Sequence, residues 1–264
     1  MKKIIFSVLT YTTVLAMVTS CNSGAGNGKE AGSEDSATAT TEAAASEDTT
    51  GWTSLFNGTD FTGWRGYDKT GVPSAWTVED GAIKINGSGA GEAGAKDGGD
   101  IIYDKKFKNF ELSFEWKVDK GANSGVFYLA QEIKGEPIWK SSPEYQVLDN
   151  VNHPDAKLGK DGNRQSGSLY DLIPANPQNS KPFGEWNTGG IMVYKGTVVH
   201  KQNGVNVLEY HLWTDDWKKM IENSKFKGWT NFIEAGGPEH EGYIGLQDHG
   251  DNVWYRNIKI KVLD

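Results

Sequence analysis

The sequence predicts an all-β sandwich of the jelly-roll type over residues 51–264, and three observations predict it. Short alternating or apolar runs recur along this part, each closed by Gly, Asn or Asp. Long amphipathic helical patterns are scarce. Trp, Tyr and Phe occur 10 times each beside 33 glycines, the mixture of aromatic bulk and turn formers that packed sheets use.

Two segments precede the sandwich. Lys2 and Lys3 lead into the apolar run Ile4–Val18, and Val18-Thr19-Ser20-Cys21 follows. This predicts a secretory signal over residues 1–20. The run is too short and too interrupted for a transmembrane helix. Cys21 is the sole cysteine, so the mature domain can hold no internal disulfide. Its place after small residues resembles the lipobox of bacterial lipoproteins. That resemblance implies lipidation of Cys21 and a place in the bacterial cell envelope, expected at the outer membrane. The membrane is then touched only through the lipid anchor. The plainer reading is an ordinary secretory signal with an incidental cysteine. Residues 21–50, rich in Gly, Ser, Ala, Thr, Glu and Asp, cannot offset their chain entropy by burial and read as a flexible tether.

Within the sandwich the strands follow in order. Trp76-Thr77-Val78 and Ala82–Ile85 flank the turn Asp80-Gly81. Residues 86–100 are glycine-rich and predict an irregular loop. Phe110–Val118 alternates strictly, with Phe110, Leu112, Phe114, Trp116 and Val118 on the core side. Gly125–Ala130 and then Pro143–Asp149 come next. In the latter, Glu144 and Gln146 share one face and Tyr145 and Val147 the other. Strict alternation puts Asp149 with Tyr145, and a one-residue bulge is expected to return it to the Glu144 face. Residues 150–188, with Asn152-His153-Pro154-Asp155 and three further prolines, Pro174, Pro177 and Pro182, predict one long functional loop. Gly190–Tyr194, Thr197–His200 and, after Asn203-Gly204, Val205–Trp213 read as further strands. Trp217–Phe232 predicts one or two short helices. Gly242–Gln247 and Val253–Val262 close the domain, and its two ends are expected in one sheet.

The net charge of −8, without a Lys/Arg cluster, argues against nucleic acid as a partner. Walker and HExxH patterns do not occur in the sequence.

Several motifs then occur together: Leu55-Phe56-Asn57-Gly58, Phe114-Glu115-Trp116, Asn123-Ser124-Gly125-Val126, Glu144–Asp149, Gly167-Ser168-Leu169-Tyr170, Glu185-Trp186-Asn187, Gly245–Gly250 and Tyr255-Arg256-Asn257-Ile258. In this order they resemble the bacterial domain family described as 3-keto-disaccharide hydrolases, over residues 51–264. The resemblance implies a concanavalin-like sandwich of two antiparallel sheets and cleavage of 3-keto-glycosides. A 3-keto group acidifies the proton on C2, so a base can remove it and the C1 substituent can leave by elimination. Such a route needs a base, a donor for the enolate oxygen and an acid for the leaving group. Glu144 or His249 is the candidate base. Asp149 is a candidate acid, or orients a histidine. Gln146, Gln247 and Asn123 are candidate donors to sugar oxygens, and Trp186 and Tyr170 candidate faces for a pyranose ring. His153 is a further candidate contact, weighed against a plain loop residue. A nicotinamide motif is lacking, so a separate sugar 3-oxidoreductase is the expected partner that makes the ketone.

Two other readings stand beside this one. Glu144-x-Gln146-x-x-Asp149 is similar to the E-x-D-x-x-E of laminarinase-type glycosidases, but an amide replaces the middle carboxylate and Asp the last Glu. An ordinary retaining glycosidase needs two carboxyls about 5 Å apart, and both changes weaken that case. The third reading is a carbohydrate-binding module without catalysis. No cofactor is evident. A divalent metal stays open, since Glu144, Asp149, His153, Asp248 and His249 include suitable ligand types, although HxH and HxxxH spacings are lacking. Trp64, Trp76 and Trp116 are expected in the core, and Arg256 in a structural ion pair.

Overall fold

The alternation of Phe110–Val118 becomes burial without exception: its five apolar residues are buried and the four between them are partly exposed. A computed structural model of the chain describes residues 50–91 and 94–264. The expected signal, Cys21 and nearly all of the tether lie outside the described residues. Among the described residues thirteen strands follow in chain order: β1 (Thr53–Ser54), β2 (Trp64–Gly66), β3 (Trp76–Glu79), β4 (Ala82–Ile85), β5 (Ile101–Phe107), β6 (Phe110–Val118) and β7 (Asn123–Ala130). Then come β8 (Glu144–Leu148), β9 (Asn187–Tyr194), β10 (Thr197–Gln202), β11 (Val205–His211), β12 (Gly242–Leu246) and β13 (Val253–Val262). Two short helices, α1 (Asp215–Glu222) and α2 (Thr230–Ile233), precede β12. Among the described residues no helix is long and apolar enough to cross a membrane.

The strands form two antiparallel sheets. One has the order β11-β10-β9-β6-β13-β4-β3, with β1 on the far part of β13; the other has the order β2-β5-β12-β7-β8. The two ends of the domain meet where Thr53 pairs with Ile260. The core between the sheets takes Trp64, Trp76, Trp116, Phe114, Tyr145 and Val147, as alternation requires. Phe114 and Tyr145 touch edge to face across it, centroids 5.3 Å apart at 84°. The five-stranded sheet carries a second apolar cluster on its other side, where Phe127, Ile102 and Tyr67 lie under Ile138. That side holds the site.

β5 carries no strand period in its sequence: its residues IIYDKKF bury as two, then one at the far end, without alternation. The long loop is present. Its segment around Leu169 lies along the free edge of β8, with Gln146 N donating to Ser168 O, Gly167 N to Gln146 O and Tyr170 N to Glu144 O. The edge is thereby closed by the chain's own backbone, and all five residues of β8 are buried.

The expected bulge before Asp149 does not form. β7 and β8 pair in unbroken register from Phe127–Glu144 to Asn123–Leu148, so Asp149 is not carried to the Glu144 face. It lies past the strand end and closes a turn. Its carboxylate accepts from the N–H groups of Gly121 at 2.8 Å, Val151 at 3.0 Å and Asn152 at 3.3 Å, and from Asn152 Nδ2 at 2.7 Å. Burial works against its ionisation, but these donors outweigh it and hold the carboxyl below its ordinary value. Asp149→Ala strips several buried donors of their acceptor. It is expected to destabilise the fold by about 3 kcal/mol, a fall in Tm of roughly 10 °C, with turnover by the folded protein unchanged. Thermal melts and an assay below the transition check both halves.

Candidate active site

A cavity of about 750 Å³ opens over the outer side of the five-stranded sheet. Glu144, a nearly buried side chain, is on its lining. The residue directly across β7 is Phe127, and the diagonal neighbour is Gly125. A Cβ on Gly125 would overlap the Glu144 carboxyl, so glycine is what lets that side chain stand there. Burial pushes the Glu144 carboxyl up to about 8, with Lys225 opposing, which keeps it protonated at neutral pH. The Gln146 amide satisfies its polar atoms best with its nitrogen toward Glu144 Oε1 at 3.0 Å and Ser124 O at 3.1 Å. Gly125→Ala is expected to displace the carboxyl and lower kcat about 100-fold, with the cooperative melt retained; an unchanged kcat would show that the Glu144 position is immaterial.

Register sets what flanks Glu144. Gln247 N donates to Gly125 O, which puts Gln247 level with Gln146, and the chain continuing from β12 brings His249 level with Asn123. Asn123, Gln146, Gln247 and His249 thus line one end of the cavity. Gln247 Oε1 and His249 Nδ1 are buried there without a hydrogen-bond partner. Asp251 Oδ2 lies 3.7 Å from His249 Nδ1 and accepts the Asn123 N–H at 3.1 Å. His153 lies outside the cavity lining and meets the His249 ring edge-on, centroids 5.8 Å apart. Burial and the neighbouring His249 push the His153 imidazole below its ordinary value.

Asp248 builds the roof of this end. Its carboxylate accepts from Ala95 N at 2.9 Å, Gly99 N at 2.7 Å and Gly250 N at 2.9 Å, pinning the glycine-rich loop over the cavity. Its own N–H donates to Asp100 Oδ1 at 2.9 Å. Asp100 faces the cavity, and the enclosing walls push its carboxyl up to about 7 against that hydrogen bond.

On the opposite wall the long loop supplies Tyr170, whose hydroxyl donates to Asp155 Oδ2 at 2.9 Å. Arg164 holds Asp155 at 2.7 Å and also binds Asp171. Lys225 Nζ lies 4.1 Å from the Tyr170 ring centroid and 3.9 Å from Asp171 Oδ2. Burial pulls its ammonium below its ordinary value. Trp139, Phe226, Trp229 and Phe232 complete the lining.

Besides His153, two sequence candidates fall outside the lining. Asp149 is absent from the lining, for the reason given above. Trp186 is on the outer face of the other sheet, its ring under the Arg256 guanidinium at 3.9 Å and near Lys117 Nζ at 5.1 Å. Lys117 alternates with the core residues of β6, so Trp186 faces away from the cavity. Arg256 makes the expected ion pair, with Glu115 at 2.8 Å. Asp100, Lys225, Asp251 and the aromatic wall were not read as site residues; only Gly98-Gly99-Asp100 offered a local signal, an acid closing a glycine-rich loop before a strand.

His153, His249 and Asp251 bring one ligand atom each within 4.8 Å of one another. The donor set does not suit a cation as arranged. His153 Nδ1 accepts the Asp155 N–H at 3.1 Å, which places the ring proton on Nε2 and occupies both nitrogens. One Asp251 oxygen is already an acceptor. Asp149 and Asp248 spend their carboxylates on backbone N–H groups.

A jelly-roll sandwich with an open, acid-lined cavity on one sheet is a layout that suits a glycoside-cleaving enzyme. The chain belongs to the family described as the 3-keto-alpha-glucoside-1,2-lyase-like domain, whose sequence profile matches residues 51–261. It is 62% identical over 229 residues to a 3-keto-disaccharide hydrolase of Bacteroides thetaiotaomicron, covering 81% of this chain and 79% of that protein. Among solved structures it is similar to a candidate glycosyl hydrolase of Parabacteroides distasonis, with 30% identity, a TM-score of 0.69, and 81% and 95% of the two chains covered. A second from that organism matches at 28% identity and a TM-score of 0.61, over 80% and 99%.

Proposed function

We propose that this domain cleaves 3-keto-glycosides by taking the C2 proton and expelling the C1 substituent. The observation that carries the reading is one cavity holding a carboxyl kept neutral and an imidazole beside a carboxylate. His249, with Asp251 at its Nδ1 side, takes the proton from C2. The electrons pass to the ketone oxygen as an enolate. Asn123 and Gln247 are the donors suited to the sugar's oxygens, Gln146 holds the Glu144 carboxyl, and Lys225 supplies positive charge across from Glu144. As the C1–O bond breaks, protonated Glu144 gives its proton to the departing oxygen. Water then adds across the C1–C2 double bond, or the unsaturated sugar is released.

An ordinary retaining mechanism fits less well. It needs one ionised carboxylate as nucleophile, yet Glu144 and Asp100 are both pushed up. The ketone is made elsewhere, which assigns a separate sugar 3-oxidoreductase as the supplier. The reading includes anchorage in the outer membrane through lipidated Cys21, supported by sequence alone. A matched pair, a glucoside and its 3-keto form, tests the function. Cleavage of the ketone alone is expected; cleavage of the plain glucoside, or of neither, would overturn it.

A further inference from the structure

We infer that Asp100 is a further catalytic residue, a neutral carboxylic acid whose Oδ2–H holds the ketone oxygen while it becomes an enolate. The inference rests on the proposed function, which supplies the ketone and the C2 proton, and adds the group that the enolate oxygen meets. Sheet order carries it. β12 lies between β5 and β7, and β8 lies beyond β7. Ile101 pairs with Leu246, so Asp100, the residue before β5, stands level with Gln247, and both line the cavity. The chain leaving β12 carries His249 onward from there. Across the sheet the three groups therefore come in the order Glu144, His249, Asp100, from β8 through β12 to β5. A substrate that turns its C1 oxygen to Glu144 and its C2 hydrogen to His249 brings C3 to the Asp100 side.

The hydrogen bonds of Asp100 decide which oxygen is offered. Oδ1 accepts the Asp248 N–H at 2.9 Å, the part of a carbonyl-type oxygen, so the acid's proton rides on Oδ2. The backbone that carries the side chain is held by Tyr67 N, which donates to Asp100 O, and by Lys69 Nζ on Gly98 O at 2.7 Å. Enclosure raises the carboxyl to about 7, against the Asp248 N–H and helped by the Asp248 charge. The charged and titratable groups around it are Asp248, His249 and Lys69, Tyr67 and Glu144. A neutral acid suits an oxygen that gains negative charge, and a carboxylate there would oppose it. As His249 takes the C2 proton, the C–H electron pair becomes the C2–C3 double bond and the carbonyl pair moves to the C3 oxygen, where the Asp100 hydrogen bond strengthens. When the C1–O bond breaks, the carbonyl re-forms and the C2–C3 pair becomes the C1–C2 double bond. The departing oxygen takes the C1–O pair and the Glu144 proton. Asp100 keeps its own proton throughout.

Steady-state kinetics on a 3-keto-glucoside across a pH range test the role. Asp100→Ala removes the donor and is expected to lower kcat about 100-fold with KM within about threefold, because the bond counts most in the transition state. Asp100→Asn keeps an oxygen for the Asp248 N–H and offers an N–H in place of the O–H. Its kcat below pH 7 is expected within about tenfold of wild type. The pH profile separates this donor from a structural residue. The wild-type kcat is expected to fall in two steps as pH rises, at about 7 from Asp100 and at about 8 from Glu144, and the D100N profile to lack the first step. A wild-type kcat in folded D100A, a D100N as slow as D100A below pH 7, or a D100N profile that keeps both steps would each overturn the role. Should D100A fail to fold, the D100N profile decides alone. The two readings fail distinguishably. Any of these results beside wild-type cleavage of the ketone removes Asp100 and leaves the function standing, whereas a wild type that leaves the ketone intact removes the function and the Asp100 role with it.

Discussion

Glu144→Gln is expected to lower kcat/KM on a 3-keto-glycoside about 10³-fold while making the ligand-free fold more stable at pH 8. The amide keeps the shape and cannot give a proton to the departing oxygen. The loss is therefore expected to be larger for an alkyl aglycone than for an acidic phenol, which leaves without help. The stability half follows from burial. The carboxyl's folded value, about 8, lies above its ordinary 4.5. A group raised in this way contributes stability that is complete below pH 4.5 and is lost as pH rises through 8. Over that window the wild type loses about 4 kcal/mol from this group alone, whereas the Gln variant does not titrate there. The variant's advantage in Tm is expected to grow from near zero at pH 4.5 to roughly 10 °C at pH 8. Burial pushes His200 down to about 4, which has the opposite effect, weakening the fold as pH falls below the ordinary 6.5. It is present in both proteins and cancels in the difference. Melts of the two proteins across this range check the claim, and parallel curves would mean that Glu144 ionises freely.

The second large effect is at His249. Replacing it with Ala is expected to remove about 10³-fold of kcat, and added imidazole is expected to restore part of the rate, since the cavity keeps the vacated space. Asp251→Asn tests the positioning carboxylate. It retains an oxygen for the Asn123 N–H, so the floor stays in place, and kcat is expected to fall roughly tenfold with little change in KM. Steady-state kinetics with and without imidazole separate these outcomes. A wild-type rate in H249A would move the base to another residue, Asp100 being the nearest in character.

How far the sequence carries is visible in particular residues. Stripes such as Phe110–Val118 and the hairpin at Asp80-Gly81 were legible because a strand's period and a tight turn are local properties. β5 was not, because its pattern is set by neighbours on both sides, β2 and a β12 whose register shifts between Tyr243 and Gly245. Glu144, Gln146, Asn123, Gln247, Tyr170 and His249 all line the cavity. Asp149 was misplaced because spacing on one strand does not say whether the strand bulges; its turn hydrogen bonds decide that. Trp186 was misplaced because an aromatic beside a strand start can serve either sheet. Asp100 and Lys225 lie 125 positions apart in the chain and line one cavity only through the fold, so no local pattern could pair them.

The most direct measurement is turnover of a 3-keto-glucoside in D2O, with mass and NMR analysis of the released sugar and a control without enzyme. Removal of the C2 hydrogen predicts a product that carries deuterium at C2 or has lost that hydrogen to a double bond. A released sugar that keeps its original C2 hydrogen in full would contradict the mechanism.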